Sequence, residues 1–138
     1  MTMRVGLCIV ILAATIAAPK AQDAASCRGT QKLRQVAEIL FGRDVGRHVG
    51  VSEAAWAHFV ARELTPRFPD GLTISDAKGQ WRDSGTGPVR HEPTKRVEIV
   101  LPGSNADADK LDAVVKAYKD EFRQHSVLVI VHTACVSF

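Results

Sequence analysis

Two hydrophobic rhythms alternate along this chain, and their order restricts the fold more than any other feature of the sequence. Val36 to Phe41 reads as a strand, with Ala37, Ile39 and Phe41 on one side and Val36, Glu38 and Leu40 on the other. Gly42 to Gly50, with three glycines and several charges, suits a loop. Ser52 then has the makings of an N-cap, with Glu53 in the first turn and Val51 placed to pack on Trp56. Trp56, Phe59, Val60 and Leu64 recur at helical spacing, and Pro66 ends the run. Leu72 to Asp76 alternates again, as does Arg96 to Leu101, where Val97, Ile99 and Leu101 face one way. Between them, Lys78 to Pro93 is long for a hairpin and leaves room for a short extra strand near Trp81. A second helix is expected after a cap at Ser104 or Asn105, burying Leu111, Val114, Val115, Tyr118 and Phe122. Val127 to Val131 is an unbroken apolar run and reads as the last strand.

The order is therefore strand, helix, strand, strand, helix, strand. This is the α+β, ferredoxin-like βαββαβ plan, an antiparallel sheet with two helices on one face. In that plan the first and last strands are antiparallel neighbours. Cys27 and Cys135 fall near their adjoining ends.

The N-terminus predicts export. Arg4 precedes Val5 to Ala18, in which Thr15 is the only polar side chain. This run is short for crossing roughly 30 Å of hydrocarbon but fits a signal peptide. Residues 1–21 are read as the signal, 22–32 as a polar arm and 33–138 as the domain, with Ala18 and Ala25 as rival cut sites. Removing 21 of the 138 residues leaves 117 and takes Arg4, Lys20 and Cys8 with it. The basic excess of 18 against 15 falls to 16 against 15. Cys27 and Cys135 then remain as an even pair in a periplasmic or extracellular setting, where a bridge is favoured over two buried thiols.

Near-neutral charge, with acids and bases interleaved, argues against a nucleic-acid partner. After cleavage no membrane segment is expected. His48, His58, His91, His125 and His132 show no metal-ligand spacing, and no phosphate-cradling glycine loop or nucleophile elbow occurs, so no cofactor is called for. The sheet face away from the helices would carry Leu40, Val100 and one side of Val127 to Val131. A second subunit in a homodimer, the Lys78 to Pro93 segment with Trp81, or a ligand could cover it, and a solvated patch is the plain alternative.

Thr65-Pro66-Arg67-Phe68-Pro69-Asp70-Gly71-Leu72-Thr73, then Gly79-Gln80-Trp81-Arg82, Glu92, Lys95 and the closing Val136-Ser137-Phe138 resemble the bacterial family catalogued as domain of unknown function 3574. The resemblance runs from about Cys27 to Phe138 and implies a small exported domain; it names no activity. Around the first strand the family pattern is Arg-Leu-Tyr-Phe-Gly, where this chain has Glu38-Ile39-Leu40-Phe41-Gly42. Within the matching motifs Arg67, Asp70, Trp81, Arg82, Glu92 and Lys95 are the candidate binding residues. Arg and Lys can hold an anion, Trp81 can stack and Glu92 can accept a proton. Structural roles compete: Asp70 in a turn, Arg67 paired with Glu92, Trp81 in the core. The sequence thus favours a non-catalytic exported binding or interaction module for a small molecule or an envelope protein. The alternative is a small-molecule enzyme of the dimeric α+β barrel kind that uses the open sheet face.

Overall fold

The computed structural model describes residues 27–46, 48–82 and 85–138. The expected signal segment and its expected cut lie outside them. The main sheet contains β1 (Lys32–Gly42), β4 (Thr73–Trp81), β5 (Arg90–Val100) and β6 (Leu128–Val136), in the order β4-β5-β1-β6 and antiparallel throughout. A two-stranded ribbon, β2 (Asp44–Val45) and β3 (His48–Val49), follows β1. The helices are α1 (Glu53–Phe59), extended by a π-helical turn over Val60–Leu64, and α2 (Asp107–Phe122). This is the ferredoxin-like α+β plan.

α1 starts where expected: Ser52 Oγ accepts from the Ala55 amide, and Val51 and Trp56 are both buried. The widened turn is closed by Thr65 N–H donating to the Val60 carbonyl, and Pro66 follows. Between sheet and helices, Phe41, Trp56, Phe59, Tyr118 and Phe122 form one aromatic cluster, with neighbouring centroids 4.7–6.1 Å apart. Edge-to-face contacts of this kind add to area burial. Ala37, Ile39, Val97, Ile99, Leu111 and Val114 complete the buried layer.

Four sequence expectations need correction. Neither Ser104 nor Asn105 caps α2: its N-cap is Ala106, and Asp107, buried in the first turn, instead accepts from the Gly103 and Ser104 amides. The Lys78 to Pro93 segment does not fold back over the sheet. It prolongs it, with β4 running to Trp81 and β5 starting at Arg90. Pro93 is tolerated inside β5 because, although its carbonyl accepts from the Arg43 amide, the Arg43 carbonyl that a strand amide there would use already accepts from the Gly50 and Val51 amides. The Gly42 to Gly50 stretch, expected as a loop, contains the β2–β3 ribbon, and Arg43, buried, donates through Nε and Nη2 to the Val51 carbonyl, tying β1 to the start of α1. β1 itself begins at Lys32, inside the expected arm, and Cys27 is bridged to Cys135.

Candidate functional site

The helix-free face of the sheet is shaped at one end into a cleft of about 450 Å³. Its floor follows from strand alternation, which sends Gly42 of β1, Gly79 of β4 and Glu92 and Thr94 of β5 to this face. Glu92 lies over the backbone of its neighbours instead of standing upright. A Cβ on Gly42 would come within 2.5 Å of a Glu92 carboxylate oxygen, and one on Gly79 would come within 2.4 Å of Thr94 Oγ1 and 3.3 Å of Glu92 Cγ. Two glycines thus make the seat of one acidic side chain. The carboxylate accepts from the Asp44 amide at 3.3 Å.

Burial, joined by the Asp44 charge, raises the pKa of Glu92 above the ordinary carboxylate range. The Asp44 amide and the Trp81 indole N–H act in the opposite sense. No cation among the described residues contributes to the shift. Asp44 Oδ1, beside it, is buried with no hydrogen-bond partner among the described residues. The described residues thus leave one buried acceptor beside the cleft floor unmet.

The walls come from separate elements. Trp81 and Arg82 end β4, and Arg90 Cζ lies 5.6 Å from the centre of the Trp81 ring. Gly46 of the ribbon accepts from Arg90 Nη1. Opposite, α2 ends at Arg123 in the left-handed conformation, turning the chain so that Gln124 Nε2 donates to the Asp44 carbonyl at 2.8 Å. From the core side, Tyr118 Oη donates to the Gly42 carbonyl at 2.8 Å. Two hydrogen bonds from α2 and its end therefore fix the strand end that seats Glu92.

The six candidate residues separate into two groups. Trp81, Arg82 and Glu92 line the cleft. Lys95 points to the other face, buried and bonded to Asp76 and Glu53, whose carboxylates hold its pKa above the ordinary lysine value. Arg67 leaves the first helix and donates to the carbonyl and carboxylate of Glu63, so the expected pair with Glu92 does not form. Asp70 is exposed in the turn before Gly71. Trp81 is not a core plug: it sits at the cleft, 36% exposed. Gly42, Asp44, Gln124 and Gly79 are the site residues sequence reasoning passed over. Gly42 and Gly79 stood inside the family motifs; Asp44 and Gln124 did not.

Taken together, fold and cleft define a ferredoxin-like domain with an acidic-floored pocket at one end of its open sheet face. The chain belongs to the family described as protein of unknown function (DUF3574), whose profile matches residues 36–138. No curated protein matches it. Among solved structures it is similar to a phage SAM lyase in complex with S-methyl-5'-thioadenosine, at 19% identity, covering 85% of this chain and 97% of that one, with a TM-score of 0.59. The apo state of a phage SAM lyase gives 17% identity, 84% and 98% coverage and a TM-score of 0.54. CutA from Synechococcus elongatus gives 10% identity, 78% and 80% coverage and a TM-score of 0.47. At these identities the likeness is one of fold.

Proposed function

We propose that this protein is an exported, non-catalytic binding domain for a small polar molecule, held in the cleft with a hydrogen-bond-donating group against Glu92. The observation that carries this reading is the seating of Glu92 between Gly42 and Gly79. A surface carboxylate needs no such seat, whereas a recognition group must be held in one place before its ligand arrives. Arg82 and Arg123 on the cleft walls suit an acidic group at the ligand's other end. Cys27–Cys135 supports the exported setting, and no helix among the described residues is long and apolar enough to cross a membrane.

Glu92 also favours a second reading, as an enzyme. A carboxyl that retains its proton more readily than usual is suited to general acid–base work. The phage lyase of similar fold makes SAM and S-methyl-5'-thioadenosine reasonable first members of any ligand panel.

The test is a thermal-shift screen of zwitterionic and nucleoside-like compounds, followed by calorimetry. A bound compound raises the melting temperature according to the logarithm of its concentration over its Kd. Glu92→Gln should weaken binding by roughly tenfold or more, the loss of one charge-assisted hydrogen bond. Arg67→Ala, outside the cleft, should leave it unchanged. Retention of affinity by the Glu92 variant would remove the site. Turnover of a bound compound would decide for the enzyme.

A further inference from the structure

β6 exposes apolar side chains on both of its sides. Leu128 and Ile130 look out from the open face, 55% and 43% exposed, while Val131 looks out from the helix-bearing face, 46% exposed. A partner stacked on the open face would cover the first two and leave Val131 in water. A strand laid along the edge runs beside all three. β6 is such an edge, because β1 is its only neighbouring strand among the described residues. Its outer backbone groups therefore face away from any strand among the described residues.

The chemistry of the two edges differs. β4, the opposite edge, carries Asp76 and Lys78, charges of the kind that keep an edge strand solvated. From Ser126 to Phe138 the chain has no Asp, Glu, Lys, Arg or Pro. Nothing along β6 discourages another strand from pairing with it.

We propose that two copies of this chain associate through β6, edge to edge and antiparallel, joining their sheets into one with all helices on the same side. The occupant follows from self-complementarity. An isologous contact needs a strand that fits itself, and directly opposed residues in an antiparallel pair must share a face. A two-fold axis at Ile130 meets both conditions: Ile130 opposes Ile130, Val129 opposes the other copy's Val131, and Leu128 opposes the other copy's His132. All three exposed apolar side chains then acquire cross-strand neighbours, and no ionised pair is brought together. Leu128 also lines the cleft, so the interface begins at the cleft wall. The proposal is independent of what the cleft binds.

The experiment is sedimentation over a concentration series, on the purified protein and two variants. The parent should run as a dimer. Ile130→Lys and Ile130→Asp each set like charges directly opposite one another across the axis, so each should run as a monomer with an unchanged circular dichroism spectrum. Mixed in equal amounts, the two should recover the dimer, because the opposed charges are then unlike. Ile130→Cys, a substitution that leaves the edge uncharged, should give a covalent dimer on a non-reducing gel, since opposed Cα atoms lie within disulfide reach. A monomeric parent at every concentration, single variants that stay dimeric, failure of the mixture to associate, or no cross-link from a folded cysteine variant would each overturn the proposal.

Discussion

At the scale of single residues, the site depends on what Gly42 lacks. Gly42→Ala would set a methyl carbon 2.5 Å from the Glu92 carboxylate, so one of the two must move. The Glu92 carboxylate, the free end of a flexible side chain, is the group that gives way, so the cost in stability is small. The variant should melt close to the parent but lose cleft binding, because the carboxylate is displaced from its seat, read by thermal shift with and without ligand. Glu92 itself has a signature in pH. Its folded pKa is raised, so its contribution to stability is fully present below the ordinary carboxylate range and is lost as pH rises through the raised value. As pH rises above the ordinary carboxylate range, the cost of ionising this partly buried carboxyl weighs against folding. Glu92→Gln should therefore melt higher than the parent near pH 7, and the gap should close in acid. A flat difference across pH would show that the protonation of Glu92 is not what separates them. Glu92 was legible in the sequence because it falls within a family motif. Asp44 was not, since its importance comes from an amide turned toward a residue forty-eight positions away.

At the scale of elements, alternation located three strands of the main sheet and an unbroken apolar run the fourth, but their lengths were misjudged. β4 and β5 run on past the last clear apolar residue because Gly79, Glu92 and Pro93 serve the cleft and the strand end, not the core, so they carry no hydrophobic rhythm. The ribbon β2–β3 went unread because two residues per strand are too few to show a period. Helix starts fared unevenly for a physical reason. Ser52 caps by the common geometry, while the start of α2 depends on Asp107 reaching back from inside the helix. Asp107→Ala would leave two loop amides without their acceptor and should cost about 1–3 kcal/mol. Hydrogen bonds to the charged form hold the Asp107 pKa low despite the opposing effect of burial. Its contribution is present above the ordinary Asp value and is lost as pH falls through the depressed one. Urea unfolding should accordingly show the variant's deficit at pH 7 and its disappearance in strong acid.

At the scale of the whole molecule, two cysteines announced the architecture as clearly as the strand pattern did. Cys27 and Cys135 fall near the adjoining ends expected of neighbouring, antiparallel first and last strands, and β1 and β6 are paired in that way. Closing a loop of 108 residues is expected to stabilise the fold by about 4–5 kcal/mol through the unfolded state. A Cys27→Ser, Cys135→Ser double variant should show that loss as a lower denaturation midpoint. The location of the cleft could not be read at this scale, because it arises where four separate stretches of chain meet at one end of the sheet. The bridge has a topological consequence as well. Nearly the entire domain becomes a closed ring, so a protease that cuts once between the two cysteines opens the ring without dividing the molecule. The nicked chain should travel as one species on a gel until a reductant is added, and only then separate into two.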